Sequence, residues 1–243
     1  MAYRWVATSV AGFVQQLAVA YIANGYWFYV TGRIPEGKDP ARTDAKLIAQ
    51  YGLDVSKWTR ARQRKQGRAS VQYLRHDRFF VLVATHGEHP FFAAEGKRIR
   101  DLRRQPLHFH GYSIGCRKGR DGQWHASVRV AREPFAELKQ RFAALAVHRS
   151  VEELCRELQR LVFEPYAPVR EQLRILLRAV NRCRHAAGLE EVPLTALRCR
   201  RRPVKPFAAA HQFHHEVGPT RVGSAAVKDA GENNASSIME STG

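Results

Sequence analysis

Two hairpin patterns constrain the fold of this chain more than any other feature of its sequence. Segments rich in β-branched and aromatic residues occupy 70–75 and 78–85, with a short polar turn between them. A second pair, 107–117 and 124–130, is joined by the sequence KGRDGQ, which carries an Asp-Gly turn signal. With a further aromatic segment at 26–31, the sequence predicts an antiparallel sheet of about five strands.

Helical periodicity in the remaining segments predicts the fold class. An apolar stripe over residues 13–22 indicates a helix that faces the core, and further helices are predicted between the strands at 41–51, at 54–66 and around 90–103. The pattern is helical again from Pro134 onward, so we expect an α+β fold with inserted helices and a helical C-terminal third. We divide the chain into an α+β basic domain (1–147), a helical C-terminal extension packed on it (148–206) and a disordered, flexible tail (207–243).

The charge of the chain predicts its class of partner. Lys and Arg number 40 against 22 Asp and Glu, which gives a net charge of +18 at pH 7. Residues 55–76 contain seven Lys or Arg and no acid. An ordinary solvated face mixes both signs because unbalanced charge repels itself, so this run indicates a polyanion, most often nucleic acid.

Three basic stretches supply the predicted binding residues. The first is a helix predicted over 54–66, with Asp54 as its N-cap and Gly67 after its end. The others are 97–104 and 198–206, and together the three would make a continuous positive surface if the fold joins them. Aromatic residues near them, Trp58, Tyr73 and Trp124, are candidate stacking platforms for unpaired bases. The predicted phosphate contacts are Lys57, Arg60, Arg64, Lys65, Arg68, Arg100, Arg103, Arg104, Arg200, Arg201 and Arg202.

The segment 45–68 resembles a helix-turn-helix, with a tight turn at Gly52 between an apolar helix and the basic one. The resemblance implies that Trp58 and Ala61 pack against the first helix and that Ser56, Lys57 and Arg60 meet bases. A plain basic helix that docks on a phosphate backbone accounts for the same charge. Both interpretations remain open from the sequence.

A second motif is His108-Phe109-His110 on the predicted strand 107–117. Side chains alternate along a strand, so we expect both imidazoles on one face, where His125 from the partner strand would be a third ligand. The motif resembles the His-hydrophobic-His element of the HUH endonucleases, the single-strand nucleases and transposases of mobile elements. That resemblance implies a divalent metal, Mg²⁺ or Mn²⁺, and a tyrosine nucleophile, for which Tyr166 at the head of a helix is the candidate. The alternative is that the histidines are two polar positions on an exposed strand.

Other classes of site are disfavoured. The chain has no phosphate-binding glycine loop, no dinucleotide fingerprint, no nucleophile elbow and no paired-cysteine zinc pattern, so no small-molecule cofactor is predicted. Four scattered cysteines are expected to be free thiols in a reducing compartment. The apolar stretch 6–22 is interrupted by Gln15 and Gln16 and is shorter than the roughly 20 residues that span a bilayer. We therefore expect a cytoplasmic protein without a membrane partner.

The sequence thus favours a non-catalytic nucleic-acid-binding protein of bacterial or mobile-element type, gripping RNA or DNA through Arg-rich helices, with single strands at least as favoured as duplex. The alternative is a metal-dependent HUH-like single-strand endonuclease or transposase that uses His108, His110 and Tyr166. A third interpretation is a ribonucleoprotein assembly factor. The sequence leaves open whether the chain is an enzyme.

Overall fold

The structure, a computed structural model, describes residues 3–208, and it confirms the α+β class and the helical C-terminal third. The predicted tail lies outside the described residues from position 209 onward. The helices are α1 (Val10–Gln15), α2 (Pro40–Tyr51), α3 (Lys57–Lys65), α4 (Pro90–Glu95), α5 (Arg132–Ala146), α6 (Val151–Gln159) and α7 (Ala167–Ala186). The strands are β1 (Phe28–Arg33), β2 (Val71–His76), β3 (Phe79–Ala84), β4 (Arg100–Asp101), β5 (Leu107–Phe109), β6 (Tyr112–Lys118) and β7 (Trp124–Val130).

The first predicted hairpin forms half of a four-stranded antiparallel sheet. Its strand order is β2-β3-β1-β4, so β2 and β4 lie at opposite edges. The hairpin closes between His76 and Phe79, where Asp77 adopts a left-handed φ of 50°. Strand β4 was missed, because the sequence pattern predicted helix as far as Arg103. Helix α4 ends at Gly96, whose φ is 45°, and the chain then extends along β1.

The second predicted hairpin forms a separate sheet with the order β5-β6-β7, so the strands occupy two sheets and not one. The single strand expected over 107–117 is also two strands. Phe109 pairs with Tyr112, and the two residues between them, His110 and Gly111, have φ values of 44° and 76°. Two consecutive positive φ values are typical of the tight turn that matches the twist of a hairpin.

Both faces of the four-stranded sheet are buried. On β2 and β3, Val71, Tyr73 and Leu82 pack into one cluster, whereas Leu74 and Val81 on the opposite face belong to another. The first cluster includes residues of α2 and α4. The second is larger and continues into the N-terminal segment, the three-stranded sheet and helices α5 to α7. The described residues all belong to one compact unit, and the predicted division at residue 147 stays a prediction.

The N-terminal apolar stripe folds as expected. Helix α1 continues into a π-helical turn (Gln16–Tyr21) and a short 3₁₀ turn (Ile22–Asn24), and we call residues 10–24 the N-terminal helix. The predicted core residues of this helix are all buried: Phe13, Val14, Leu17, Ala18, Tyr21 and Ile22. Along residues 3–208, every helix is too short or too polar to cross a membrane.

Candidate nucleic-acid interface

Helix α3 forms the centre of the acid-free run. Its N-cap is Ser56, whose Oγ accepts a hydrogen bond from Thr59 N at 3.1 Å, and not the predicted Asp54. The helix begins later than predicted because Leu53 is buried after the left-handed turn at Gly52, so the chain passes through the core before it can coil. Gly67, at φ 79°, follows the end of the helix as expected.

The packing implied by the helix-turn-helix resemblance is wrong at Trp58. This side chain is 81% exposed, and α3 has no buried residue. Tyr51 and Leu53 from the preceding helix and turn are buried instead, in the cluster beneath the sheet. The physical reason is composition, since Trp58 and Ala61 are too little apolar surface to dock a nine-residue helix. The geometry agrees with the plain basic helix.

A groove of about 700 Å³ runs between α3 and the N-terminal helix, and we call it the α3 groove. Its floor includes Gln72 of β2. Among residues 3–208, no residue that lines it carries a carboxylate, whereas four carry a cation: Arg4, Lys57, Arg60 and Arg64. Its aromatic lining is Tyr3, Tyr21, Tyr26, Trp58 and Phe207. Of these rings, Trp58 is exposed, whereas Tyr21 and Tyr26 are buried. Cations beside an exposed ring are typical of proteins that track a single strand, because phosphates pair with the cations while a base stacks on the ring.

Arg60 is held in place by a backbone carbonyl and an aromatic ring. Arg60 donates to the carbonyl of Val55 at 2.5 Å, and its guanidinium lies 5.9 Å from the ring centre of Tyr3. The Tyr3 hydroxyl in turn accepts from Tyr73 N at 2.7 Å and donates to Tyr73 O at 3.2 Å, which anchors the ring on β2. Burial raises the pKa of Tyr21 to about 12, so this ring is a neutral surface at physiological pH.

The third basic stretch reaches the same groove. Gln15 on α1 binds the stretch at two points, accepting from Arg201 at 3.0 Å and donating to Val204 O at 2.6 Å. The chain then continues to Phe207, which lines the groove beneath the guanidinium of Arg4 at 5.7 Å. The stretch 198–206 therefore passes along the N-terminal helix to the groove. The neighbouring cations Arg200 and Arg202 are exposed.

The second basic stretch does not join them. It lies around β4, at the edge of the sheet opposite to β2. Arg103 is also occupied, since it forms a 2.7 Å ion pair with Asp101 and stacks 4.5 Å from the ring centre of Trp27. Although burial opposes the effect, hydrogen bonds from Arg103 lower the pKa of Asp101, so this pair is fixed in its charged form. Arg100 and Arg104 are exposed.

Two other predicted binding residues, Lys65 and Arg68, lie outside the α3 groove. Lys65 and Arg68 are exposed at and beyond the end of α3, but neither lines the groove. Among the predicted aromatic platforms, Trp124 is 36% exposed, and Tyr73 is fully buried, so the prediction for Tyr73 is wrong. Tyr73 is buried because it lies with Val71 on the face of β2 that packs against residues of α2 and α4.

The histidine motif is not assembled as expected. His110 lies in the turn after β5, so the strand alternation that predicted a shared face with His108 does not apply. Strand β5 is an edge strand, and His125 lies opposite Arg117 and hydrogen-bonds Asp121 at 2.8 Å. Within residues 3–208, no group of three His, Cys, Asp or Glu side chains is positioned to hold a metal ion.

Tyr166 precedes α7 as its N-cap residue, close to the predicted position. Its hydroxyl accepts from Arg201 at 3.4 Å, and the same guanidinium lies 5.0 Å from the ring centre. Burial raises the pKa of Tyr166, and Arg201 opposes that shift only in part. A neutral, cation-covered phenol is a structural contact between α7 and the third basic stretch.

A larger depression, of about 1060 Å³, lies along α7, but its chemistry differs. Arg174 and Arg178 on its wall are paired with Glu171 at 3.4 and 3.0 Å. Its lining contains no Phe, Tyr or Trp. Because two glutamates, Glu171 and Glu191, stand among its three arginines and its described lining offers no aromatic platform, it is a weaker candidate for a polyanion.

The sequence reasoning missed several groove residues, notably Tyr3, Gln16, Tyr21 and Gln72. A signal was present for Gln72, since it is a lone amide in the strand VQYL, whose other residues are buried and apolar or aromatic. The others lie far from α3 along the chain, and their own patterns indicate only that they belong near a core.

Comparison with protein-family models, with curated proteins and with solved structures returned no match for this chain. Its function is therefore inferred from the geometry of these residues.

Proposed function

We propose that this protein binds single-stranded nucleic acid, RNA or DNA, in the α3 groove without cleaving it. The observation that carries the proposal is Trp58, a large apolar ring that is 81% exposed on a helix between Lys57 and the cations Arg60 and Arg64. An indole left in water in this way stabilises nothing in the free protein, whereas a base stacked on it gains about 1–3 kcal/mol.

The charge of the groove supports the same proposal. Among residues 3–208, four cations and no acid line it, and a bound polyanion would relieve their mutual repulsion. Arg200 and Arg202 extend this positive surface along the N-terminal helix. A phosphate backbone that runs from α3 toward the third basic stretch would meet about six cations.

A cytoplasmic location is part of the proposal. The cysteines Cys116, Cys155, Cys183 and Cys199 are all free, and Cys199 is exposed. An exposed thiol is typical of a reducing compartment.

The test is the dependence of affinity on salt. With roughly six phosphate contacts, the slope of log affinity against log salt for a single strand should be about −4 to −5. Fluorescence anisotropy of a labelled oligonucleotide of about 12 nucleotides, a length within the site sizes of single-strand binders, measures it. A flat salt response contradicts the proposal.

The nucleic acid that copurifies with the protein identifies the natural ligand. The protein is purified at moderate salt and the bound nucleic acid is sequenced. The sequences distinguish DNA from RNA and specific from general binding. A single discrete RNA species would instead indicate the ribonucleoprotein assembly factor.

A further inference from the structure

Gln72 is a buried amide with an unused donor. Its side chain is 4% exposed, and its Nε2 has no hydrogen-bond acceptor among the described residues. Burying an unpaired amide donor costs about 1–3 kcal/mol of folding free energy. Native interiors pair nearly all such groups. Of the six buried unpaired side-chain atoms among residues 3–208, Gln72 Nε2 is the one whose residue lines the α3 groove, which makes it a candidate contact for a ligand there.

The neighbours of Gln72 have already been satisfied. The Tyr26 hydroxyl shares a 2.8 Å hydrogen bond with Ser70 Oγ, and Ser70 N donates to Thr85 Oγ1 at 2.9 Å. Asn24, which also lines the groove, donates from Nδ2 to Ala20 O at 3.0 Å. Gln72 Nε2 is therefore a buried, unpaired donor beside neighbours that are already hydrogen-bonded.

An amide in this position can form a pattern of hydrogen bonds that a cation cannot. Phosphate oxygens accept hydrogen bonds only, and the arginines at the rim supply donors for them. A carboxamide holds one donor group and one acceptor in a single plane, and base edges carry the complementary arrangement. Amides and aromatic rings together are the means by which proteins recognise unpaired bases.

We infer that the α3 groove takes one unpaired base of the bound strand and reads its edge through the Gln72 amide, an inference that rests on the proposed function. The volume of about 700 Å³ is sufficient for a nucleotide, and it falls within the usual range of small-ligand sites. Trp58 at the rim supports the base by stacking, and the cations hold the flanking phosphates. Binding therefore discriminates between bases, unlike that of a general single-strand coat protein.

The experiment compares oligo(dA), oligo(dT) and oligo(dC) of equal length by fluorescence anisotropy at one salt concentration. In the wild-type protein, we expect the affinities to differ by about tenfold or more, as good amide contacts to bases allow. In Gln72→Met, the spread should shrink to about twofold while the salt slope is unchanged, because phosphate contacts remain. Gln123→Met, in the exposed turn between β6 and β7, is the matched control and should keep the spread.

Loss of folding does not confuse the result, since replacing an unpaired buried amide by an apolar chain of similar length removes its desolvation penalty and should leave the fold at least as stable as wild type. Circular dichroism melts verify this for each variant. The inference is overturned if the wild-type affinities agree within about twofold or if Gln72→Met keeps the full spread. Salt-dependent binding with either of those outcomes leaves the proposed function standing, whereas no salt-dependent binding removes both.

Discussion

The carboxylate of Asp44 lies 2.8 Å from Nε of Arg75 in the interior of the protein. Asp44 also accepts from Trp5 Nε1 at 2.9 Å and from the Tyr73 hydroxyl at 2.6 Å. The Asp44 carboxylate thus joins α2 to β2 and to the N-terminal segment at Trp5. Because α3 follows α2 after a short turn, this cluster sets the position of one wall of the groove.

Replacing Asp44 by Asn should destabilise the fold strongly. Asp44 is 2% exposed, so the substitution would leave the Arg75 guanidinium without its counter-ion, and breaking a buried pair costs about 3–5 kcal/mol. Urea unfolding monitored by circular dichroism measures the change. Asp54→Asn, at an exposed position, is the control and should stay within about 0.5 kcal/mol of wild type. Equal stability of the two variants would refute this role for Asp44.

Trp58→Ala should weaken binding without changing its salt dependence. Loss of one stacked base costs about 1–3 kcal/mol, or about 5- to 150-fold in affinity. The salt slope stays the same because no phosphate contact is removed. Trp124→Ala is the control, because Trp124 is the first residue of β7 and does not line the α3 groove. This variant should bind as wild type does. An unaltered affinity for Trp58→Ala would exclude stacking at this site.

Arg64→Gln should reduce the salt slope itself. Arg64 is exposed at the groove, and removing one phosphate contact with a single strand should make the slope less steep by about 0.7. Arg178→Gln is the matched control, because Arg178 is paired with Glu171 at 3.0 Å and should leave the slope unchanged. The two slopes are obtained from anisotropy titrations at several salt concentrations. The same reduction in both variants would mean that the positive charge acts without a defined site.

Tyr166→Phe should leave nucleic-acid binding unchanged, and the wild-type protein should form no covalent adduct with a labelled single strand in Mg²⁺ or Mn²⁺. Burial raises the pKa of Tyr166, which disfavours the nucleophilic phenolate. Denaturing electrophoresis of the incubated mixture detects any adduct. An adduct that disappears in Tyr166→Phe would establish the endonuclease alternative instead.

Stability at alkaline pH should depend on Tyr51. Burial, together with the 2.5 Å hydrogen bond to Glu95, raises the pKa of Tyr51 from 10.0 to about 12. The folded state therefore holds this proton more tightly than the unfolded state, so the contribution is complete below pH 10 and is lost as the pH rises toward about 12. Tyr51→Phe should flatten the decline of unfolding free energy in this window. An identical decline in both proteins would contradict the assignment.

Local patterns determined much of the fold. The core-facing N-terminal helix, the hairpin at 71–84 and the helical last third follow from periodicities that extend over only a few turns or strand residues, and the structure has them where expected. The same holds for the basic helix, since Lys57 to Lys65 contains too little apolar surface to be buried in any fold. The helical part of the acid-free run was therefore visible as a surface from the sequence, whereas its second part is the buried strand β2.

Tertiary structure decided what that surface faces. A periodic pattern specifies which face of an element is buried but not which element covers it, so the meeting of Tyr3, Gln72 and Phe207 with α3 was out of reach. The sequence likewise did not reveal that the second basic stretch lies at the opposite sheet edge, or that Arg103 is occupied by Asp101. Charge is a property of composition, whereas a groove exists only where distant segments pack together.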